Sequence, residues 1–405
     1  MTSFPRWAGG VGCEVSTDGD TKPDPTPAET ALAGKDRTLM LIAHITQRRA
    51  LRMALVAAAA TGVLVPAAPA AASNHTIVVH PGDSIQTALD AAQPGDKVLV
   101  GAGVYTEQLV VTTDGVTLVG SGAILRPPPT VATNTCSGLS GPIGTNGPPA
   151  QAGICVTGTG VTLAPFVAEH RRFIAVERRV RGVTISGFRV EGFSGANIAF
   201  VAAADARLDG NVLVDGDHYG ALTVGSTHTR FSRNIVATSG VLHSIGLCMD
   251  DVTPATVDHN DVSGYVAGLC VQTQGADIRN NLAHDNCIGV YVDPGIGATV
   301  RNNHIVSNNG PCVDLFSYIT GVGVYLQGTH GTVVRGNRIE GHTPAGNRPV
   351  AALVITDEGA TASENTVRNN RFSDNTLDIL VDSAGAANVV AHNRCTSSQP
   401  MALCD

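Results

Sequence analysis

Beyond residue 76, hydrophobic and polar positions alternate with period two, in short runs broken by Gly and Asn. The stretch "GLCVQTQGADIRNN" (268–281) is followed closely by "GVYVDPGIGATVRNN" (289–303). Each opens on Gly, runs apolar, variable, apolar, polar, then turns and enters a shorter apolar run ending in Asn. Such alternation predicts strands with one face buried. The segments are too short and too rich in β-branched residues for paired helices.

The pattern apolar-x-x-Asn-x-apolar recurs eight times: "LDGNVL" (208–213), "FSRNIV" (231–236), "VDHNDV" (257–262), "IRNNLA" (278–283), "VRNNHI" (300–305), "VRGNRI" (334–339), "VRNNRF" (367–372) and "VAHNRC" (390–395). The aligned residues are Asn211, Asn234, Asn260, Asn281, Asn303, Asn337, Asn370 and Asn393, spaced by 23, 26, 21, 22, 34, 33 and 23 residues. A period of twenty-odd residues with Gly-rich turns marks a solenoid. Asn tolerates a left-handed backbone, and its amide can bond the equivalent amide one rung away. One such Asn would read as a solvated loop residue; eight in one register predict a ladder. The two long spacings reflect longer loops, "HIVSNNGPCVDLFSYIT" and "GHTPAGNRPVA", where function tends to concentrate.

Composition sharpens this picture. Of 405 residues, 43% are hydrophobic but only 4% aromatic, so small aliphatics must fill the core. The net charge of −8 argues against nucleic acid as a partner. Arg48, Arg49 and Arg52 precede an apolar run from Met53 to Val65 and then "PAAPAAAS". This is the layout of a secretory signal, with cleavage expected near Ala72. The domains expected are therefore an N-terminal extension (1–39), a signal peptide (40–72) and a secreted domain (73–405). A start at Met40 or Met53 would omit the extension. No membrane contact is expected after cleavage, and the mature chain reads as a monomer.

Eight cysteines follow residue 72, an even number that suggests disulfides in an exported chain. Pairing Cys136 with Cys155, Cys287 with Cys312 and Cys395 with Cys404 closes a loop or an end each time. Cys248 and Cys270 fall in one column on neighbouring rungs, close enough for a bond or for a stacked thiol pair.

The segment "DSIQTALDAAQPGDKVLVGAGVYTEQLVV" predicts a short helix N-capped by Asp83 or Ser84, with Ile85, Ala88, Leu89 and Ala92 on one face, ended by Pro94-Gly95. With this opening and the repeats after it, residues 76–405 resemble the right-handed parallel β-helix superfamily of pectate lyases and their relatives. The resemblance implies an all-β, single-stranded right-handed parallel β-helix with a short N-terminal capping helix over its open end. It also implies three strands per coil, with the Gly-led strand first and the strand before the Asn turn second.

Counting from the leading Gly, positions one and three are Leu247 and Met249, Leu269 and Val271, Val290 and Val292, and Val324 and Leu326. These point inward, so positions two and four point outward. Position two reads Cys155, Thr223, Cys248, Cys270, Tyr291, Tyr325, Val354 and Leu380. Position four reads Thr157, Gly225, Asp250, Gln272, Asp293, Gln327, Thr356 and Asp382. In similar enzymes this outer face carries the substrate cleft.

Inverting glycosidases need two carboxyls about 6.5–9.5 Å apart. Asp250 and Asp293 share a column two rungs apart, with Asp251 beside the first, and are the candidate catalytic residues. Alternatively, the three could hold Ca²⁺ for a uronate lyase, or stand as solvated ladder residues. Tyr291 and Tyr325 are candidates for stacking on sugar rings, with Gln272 and Gln327 for holding hydroxyls. Tyr219, Tyr265 and Tyr318 lie on or near the same strands. His218 and His243, just before first-sheet strands, read mainly as loop histidines.

Family motifs do not settle the chemistry. There is no Gly-His-Gly or Arg-Ile-Lys of polygalacturonases. "VDPG" (292–295) lacks the Asp-Pro-His-Glu run of alginate epimerases. A periplasmic copper-accessory role fits worse. Only Met249 and Met401 follow residue 72, and His259, His284, His304 and His392 scatter around the Asn turns. The reading is a secreted β-helix hydrolase or lyase acting on an extracellular polysaccharide. The alternatives are a non-catalytic glycan or cell-surface binding module and a structural solenoid.

Overall fold

The computed structural model describes residues 75–240, 243–310, 312, 321–343 and 351–404. The N-terminal extension, the signal segment and Tyr318 lie outside them. The chain winds through three parallel sheets of 11, 12 and 10 strands. One coil shows the plan: Tyr265–Val271 lies in the first sheet, Asp277–Arg279 in the second and Leu282–His284 in the third, before Ile288–Val292 re-enters the first. Among the described residues, no helix is long and apolar enough to cross a membrane.

The helix Ile85–Ala91 packs Ile85, Ala88 and Leu89 against the first coil. Ser84 is its N-cap, accepting from the Thr87 N–H at 3.2 Å. Asp83 instead accepts from the His80 N–H. Glu107, from the next coil, accepts from Ile85 N and Gln86 N. The helix thus covers strand edges that would otherwise be open to pairing.

Leu247, Met249, Leu269, Val271, Val290, Val292, Val324 and Leu326 all lie in the interior core, each at most 1% exposed. The leading glycines follow from close packing between rungs. A Cβ on Gly289 would stand 2.7 Å from the Gly323 carbonyl oxygen and 2.8 Å from the Asn308 amide. On Gly323 it would stand 2.6 Å from the Ala352 carbonyl.

The Asn column forms one continuous ladder from Asn211 to Asn393. Asn281 is typical: its Nδ2 donates to Asn303 Oδ1 at 3.0 Å and to the Val257 carbonyl at 2.9 Å. Its own Oδ1 accepts from Asn260 N and Nδ2. The left-handed residue, however, is the one before the ladder Asn: Gly210, Arg233, His259, Asn280, Asn302, Gly336, Asn369 and His392, with φ between 54° and 65°. The ladder Asn is kept for its amide, and the bonds around it hold even Arg and His in αL.

Two corrections concern the first sheet. Leu222 pairs with Cys248, Thr223 with Met249 and Val224 with Asp250. The outward pair in this coil is therefore Leu222 and Val224, one residue before the expected Thr223 and Gly225. Gly220 leads this strand as the others do, and a one-residue shift reverses every side chain. Secondly, the outer face is not bare. Cys155, Ala199, Leu222, Cys248, Cys270, Tyr291, Tyr325, Val354 and Leu380 form a second buried cluster with Leu139 and the overlying segments. Disulfides fasten these covers: Cys136–Cys155 and Cys287–Cys312, with Cα separations of 5.9 and 5.2 Å, join loops to first-sheet strands. Cys248–Cys270 joins neighbouring rungs at 4.4 Å, and Cys395–Cys404 closes the C-terminal end at 5.2 Å. Four disulfides fit an oxidising compartment rather than the cytosol.

Candidate functional site

Position four of the first sheet is partly exposed at Asp250, Gln272, Asp293 and Thr356. Register runs from Val224 to Asp250, then through Gln272 and Asp293 to Gln327, Thr356 and Asp382. Asp250 and Asp293 are two rungs apart, about 9.5 Å of backbone from the usual strand spacing.

Facing this column is an insertion that the repeat pattern does not contain. After the strand Ala152–Thr157, the strands Thr162–Leu163 and Phe173–Ala175 pair antiparallel as a hairpin. Arg171 fixes its tip, donating to the carbonyls of Ala164 and Leu163 at 2.8 and 3.0 Å. The Arg171 N–H donates to the Leu139 carbonyl, in the loop held by Cys136–Cys155. The tip presents Glu169, His170 and Arg172 to the sheet.

His170 is fully enclosed, its side chain 0% exposed. Its Nδ1 lies 3.2 Å from the Tyr219 hydroxyl and its Nε2 lies 3.0 Å from Asp250 Oδ2. The three fit one another when Tyr219 donates to Nδ1 and Nε2–H donates to the carboxylate. Arg172 Nη1 lies 3.6 Å from Asp250 Oδ2 and donates to Gln272 Oε1 at 2.7 Å. Gln272 Nε2 donates to Glu169 Oε2 at 2.7 Å. Asp250 thus faces a guanidinium and an imidazole N–H while part of it meets solvent.

Asp293 has a different environment. Burial pushes its carboxyl up to about 6, opposed by the Tyr291 hydroxyl and reinforced by Glu169 and Glu358. The Tyr291 hydroxyl lies 2.8 Å from both Asp293 Oδ2 and Gln327 Oε1. Its single proton cannot serve two acceptors. A protonated Asp293 donating to the tyrosine, or a Gln327 amide turned to donate, completes the chain. Two carboxyls in one column, one held by a guanidinium and an imidazole N–H and one kept protonated into mildly acidic conditions, can act as a base and an acid.

Other expected site residues take different places. Tyr291 and Tyr325 are 4% and 1% exposed and stack on each other, ring centroids 5.6 Å apart. Buried in this way, neither offers a face to a sugar. Tyr325 donates instead to Glu358 at 3.0 Å. Tyr219 and Tyr265 are also buried. Gln327, 9% exposed, serves Tyr291 rather than an open cleft. Asp251 leaves the column: it is 4% exposed, and its Oδ2 accepts from Thr229 N and Oγ1 at 3.1 and 2.7 Å, closing a turn. Burial raises it to about 6, and its Oδ1 has no hydrogen-bond partner among the described residues. Asp250, Asp251 and Asp293 therefore do not converge, and among the described residues no group of three or more His, Cys, Asp or Glu could hold a metal ion.

The histidines near the strands are locally engaged. His218 Nδ1 lies 2.9 Å from the Ser140 carbonyl, and His243 Nδ1 lies 3.1 Å from Asp217. His259, His284 and His304 each pair with nearby carboxylates. The sequence signal for the missed residues is "VAEHRRF" (167–173), a charged cluster between two repeat units.

The chain matches the right-handed β-helix region family over residues 174–320 and 246–403, and belongs to it. Among solved structures it resembles an alginate lyase from Paenibacillus sp. str. FPU-7, at 13% identity and a TM-score of 0.50, covering 79% of this chain and 99% of that one. It also resembles the tailspike protein of Escherichia coli bacteriophage HK620, solved with a pentasaccharide, at 11% identity and a TM-score of 0.50, covering 80% and 58%. The Dettilon tailspike protein follows at 15% identity and 0.49, covering 79% and 68%. No curated protein matches the sequence. These likenesses concern the fold.

Proposed function

We propose that the protein is a secreted glycoside hydrolase of an extracellular polysaccharide, working at the Asp250–Asp293 column. The observation that carries this reading is the contrast between two partly exposed carboxyls in one column. Asp293 is shifted up by burial, whereas Asp250 is partnered by Arg172 and His170. Their backbone separation of about 9.5 Å lies at the upper end of the window for inverting enzymes, roughly 6.5–9.5 Å between carboxyls.

Asp293 would protonate the leaving glycosidic oxygen. Asp250 would take a proton from the attacking water on the opposite face of the sugar. His170 touches no solvent, so it positions Asp250 and does not meet the substrate. Gln272, on the rung between the acids, is the nearest side-chain amide for a sugar hydroxyl. The surplus of carboxylates here, with Glu169 and Glu358, favours a neutral glycan over a uronate.

The test is incubation of the protein with a panel of neutral and acidic polysaccharides, read by new reducing ends and by unsaturated-product absorbance. New reducing ends without absorbance, lost in both D250N and D293N, are expected. Absorbance would mean elimination instead. Binding without cleavage would make the protein a glycan-binding module. Full activity in both variants would move the site elsewhere.

A further inference from the structure

A second charged surface lies away from the first sheet, astride the Asn corner. The repeat motifs "VRNNHI", "VRGNRI" and "VRNNRF" place an Arg just before each ladder turn, and two of them place another just after. In the second sheet, Arg279, Arg301, Arg335 and Arg368 pair in register on consecutive rungs. In the third sheet, His304, Arg338 and Arg371 do the same, and Arg394 bridges to Arg371. Two parallel cationic columns thus run along one corner of an acidic protein.

Neutralisation is uneven along these columns. Asp277 binds Arg279 and takes Arg301 through Nε and Nη2, both at 2.8 Å. Glu340 accepts from Arg338 Nε at 2.6 Å and faces His304 Nε2 at 2.8 Å. Beyond Glu340, Arg335, Arg368, Arg371 and Arg394 have no carboxylate partner among the described residues. Like charges directly opposite on neighbouring strands are unfavourable. Here they recur over successive rungs at one strand spacing, about 4.8 Å. A ligand that recovers this cost must carry negative charges in a line.

We propose that these four arginines bind a linear acidic polysaccharide lying along the solenoid axis. The inference is independent of whether the first sheet is catalytic. A glycan fits better than single-stranded nucleic acid, because Phe372, within this corner, is buried at 4% exposure and offers no base a stacking face. The narrow corner suits a chain rather than a lipid plane. The disulfides fit an oxidising compartment, which suits an extracellular glycan as the ligand.

The experiment uses the full chain on immobilised polygalacturonate, with dextran as the uncharged control and duplex DNA and anionic vesicles as competitors. Wild type should be retained and eluted by salt. R335Q/R368Q/R371Q/R394Q should bind roughly tenfold more weakly or worse. Its salt slope should fall by roughly one for each arginine that contacts the glycan. R126Q/R178Q/R189Q/R233Q removes the same charge from earlier coils, where each arginine already faces a carboxylate, and should be retained like wild type. R335K/R368K/R371K/R394K should keep most of the binding, and R368Q/R371Q gives an intermediate loss should the quadruple variant misfold. D250N should bind as wild type does, which separates this surface from the first-sheet site. The proposal is overturned if wild type is not retained, if both Gln quadruples lose retention equally, if D250N abolishes it, or if DNA or vesicles displace the glycan at lower concentration than free polygalacturonate.

Discussion

Nε2 of His170 lies 3.0 Å from Oδ2 of Asp250, eighty residues further along the chain. One belongs to a hairpin outside the repeat and the other to a repeat strand. Their contact converts an outward ladder aspartate into an oriented group with a defined hydrogen-bond partner. The imidazole also holds the Tyr219 hydroxyl, so the link runs from the inserted hairpin to two first-sheet strands.

Replacing His170 should therefore act through position rather than contact. H170A leaves a buried tyrosine hydroxyl without its partner, at a cost of roughly 1–3 kcal/mol in stability. It should also lower kcat with little change in KM, because Asp250 can then turn towards Arg172. H170Q, which keeps a donor, should recover part of the rate. A KM increase with unchanged kcat would place His170 in substrate binding instead.

The acid role proposed for Asp293 predicts a pH profile. Its carboxyl is raised to about 6, so activity should fall as pH climbs through that value and the acid ionises. The Tyr291 hydroxyl opposes this rise, so Y291F should move the falling limb to still higher pH. Because the ring is buried, Y291F should leave glycan affinity unchanged. A weaker affinity with an unmoved limb would restore the tyrosine as a sugar platform.

Asp251 bears on stability. Its folded value is about 6, against about 3.9 for an unfolded aspartate. The native chain keeps the proton longer. The contribution is thus fully present below pH 4 and is lost as pH rises to about 6. Wild type compared with D251N should lose on the order of 3 kcal/mol between pH 4 and pH 7, read by denaturant titration at each pH. A difference independent of pH would mean that Asp251 does not titrate in this window.

The ladder is the main polar stabiliser of its corner. N281A removes two Nδ2 donations and strands the Asn260 amides that Asn281 Oδ1 accepts. A loss of roughly 1–3 kcal/mol for each buried group left unpaired is expected. N393A, at the ladder's end, should cost less. Equal losses at both positions, measured by thermal melting, would argue against coupling along the ladder.

Leu269 tests the face assignment directly. It is 1% exposed in the interior core, so L269D buries an unpaired charge and should prevent stable folding. A folded L269D protein of normal stability would reverse the inward and outward columns.

The sequence by itself determined the solenoid, its inward column and the Asn ladder. The ladder is written in eight successive coils, from Asn211 to Asn393, and a period-two pattern repeated eight times leaves one self-consistent register. It also placed Asp250 and Asp293 on one outward column, since strand alternation needs no tertiary information. The slip at Thr223 shows the limit, because one coil read alone allows two registers and pairing with Cys248 and Met249 chooses between them. Only the tertiary structure decided what covers the outer face. Glu169, His170 and Arg172 reach the column from outside the repeat, and local pattern carries no information about where an insertion folds back. For the same reason Tyr291 and Tyr325 look like open platforms in the sequence and are buried partners in the fold. Exposure depends on what packs above a strand, and periodicity along the chain records only what lies beneath it.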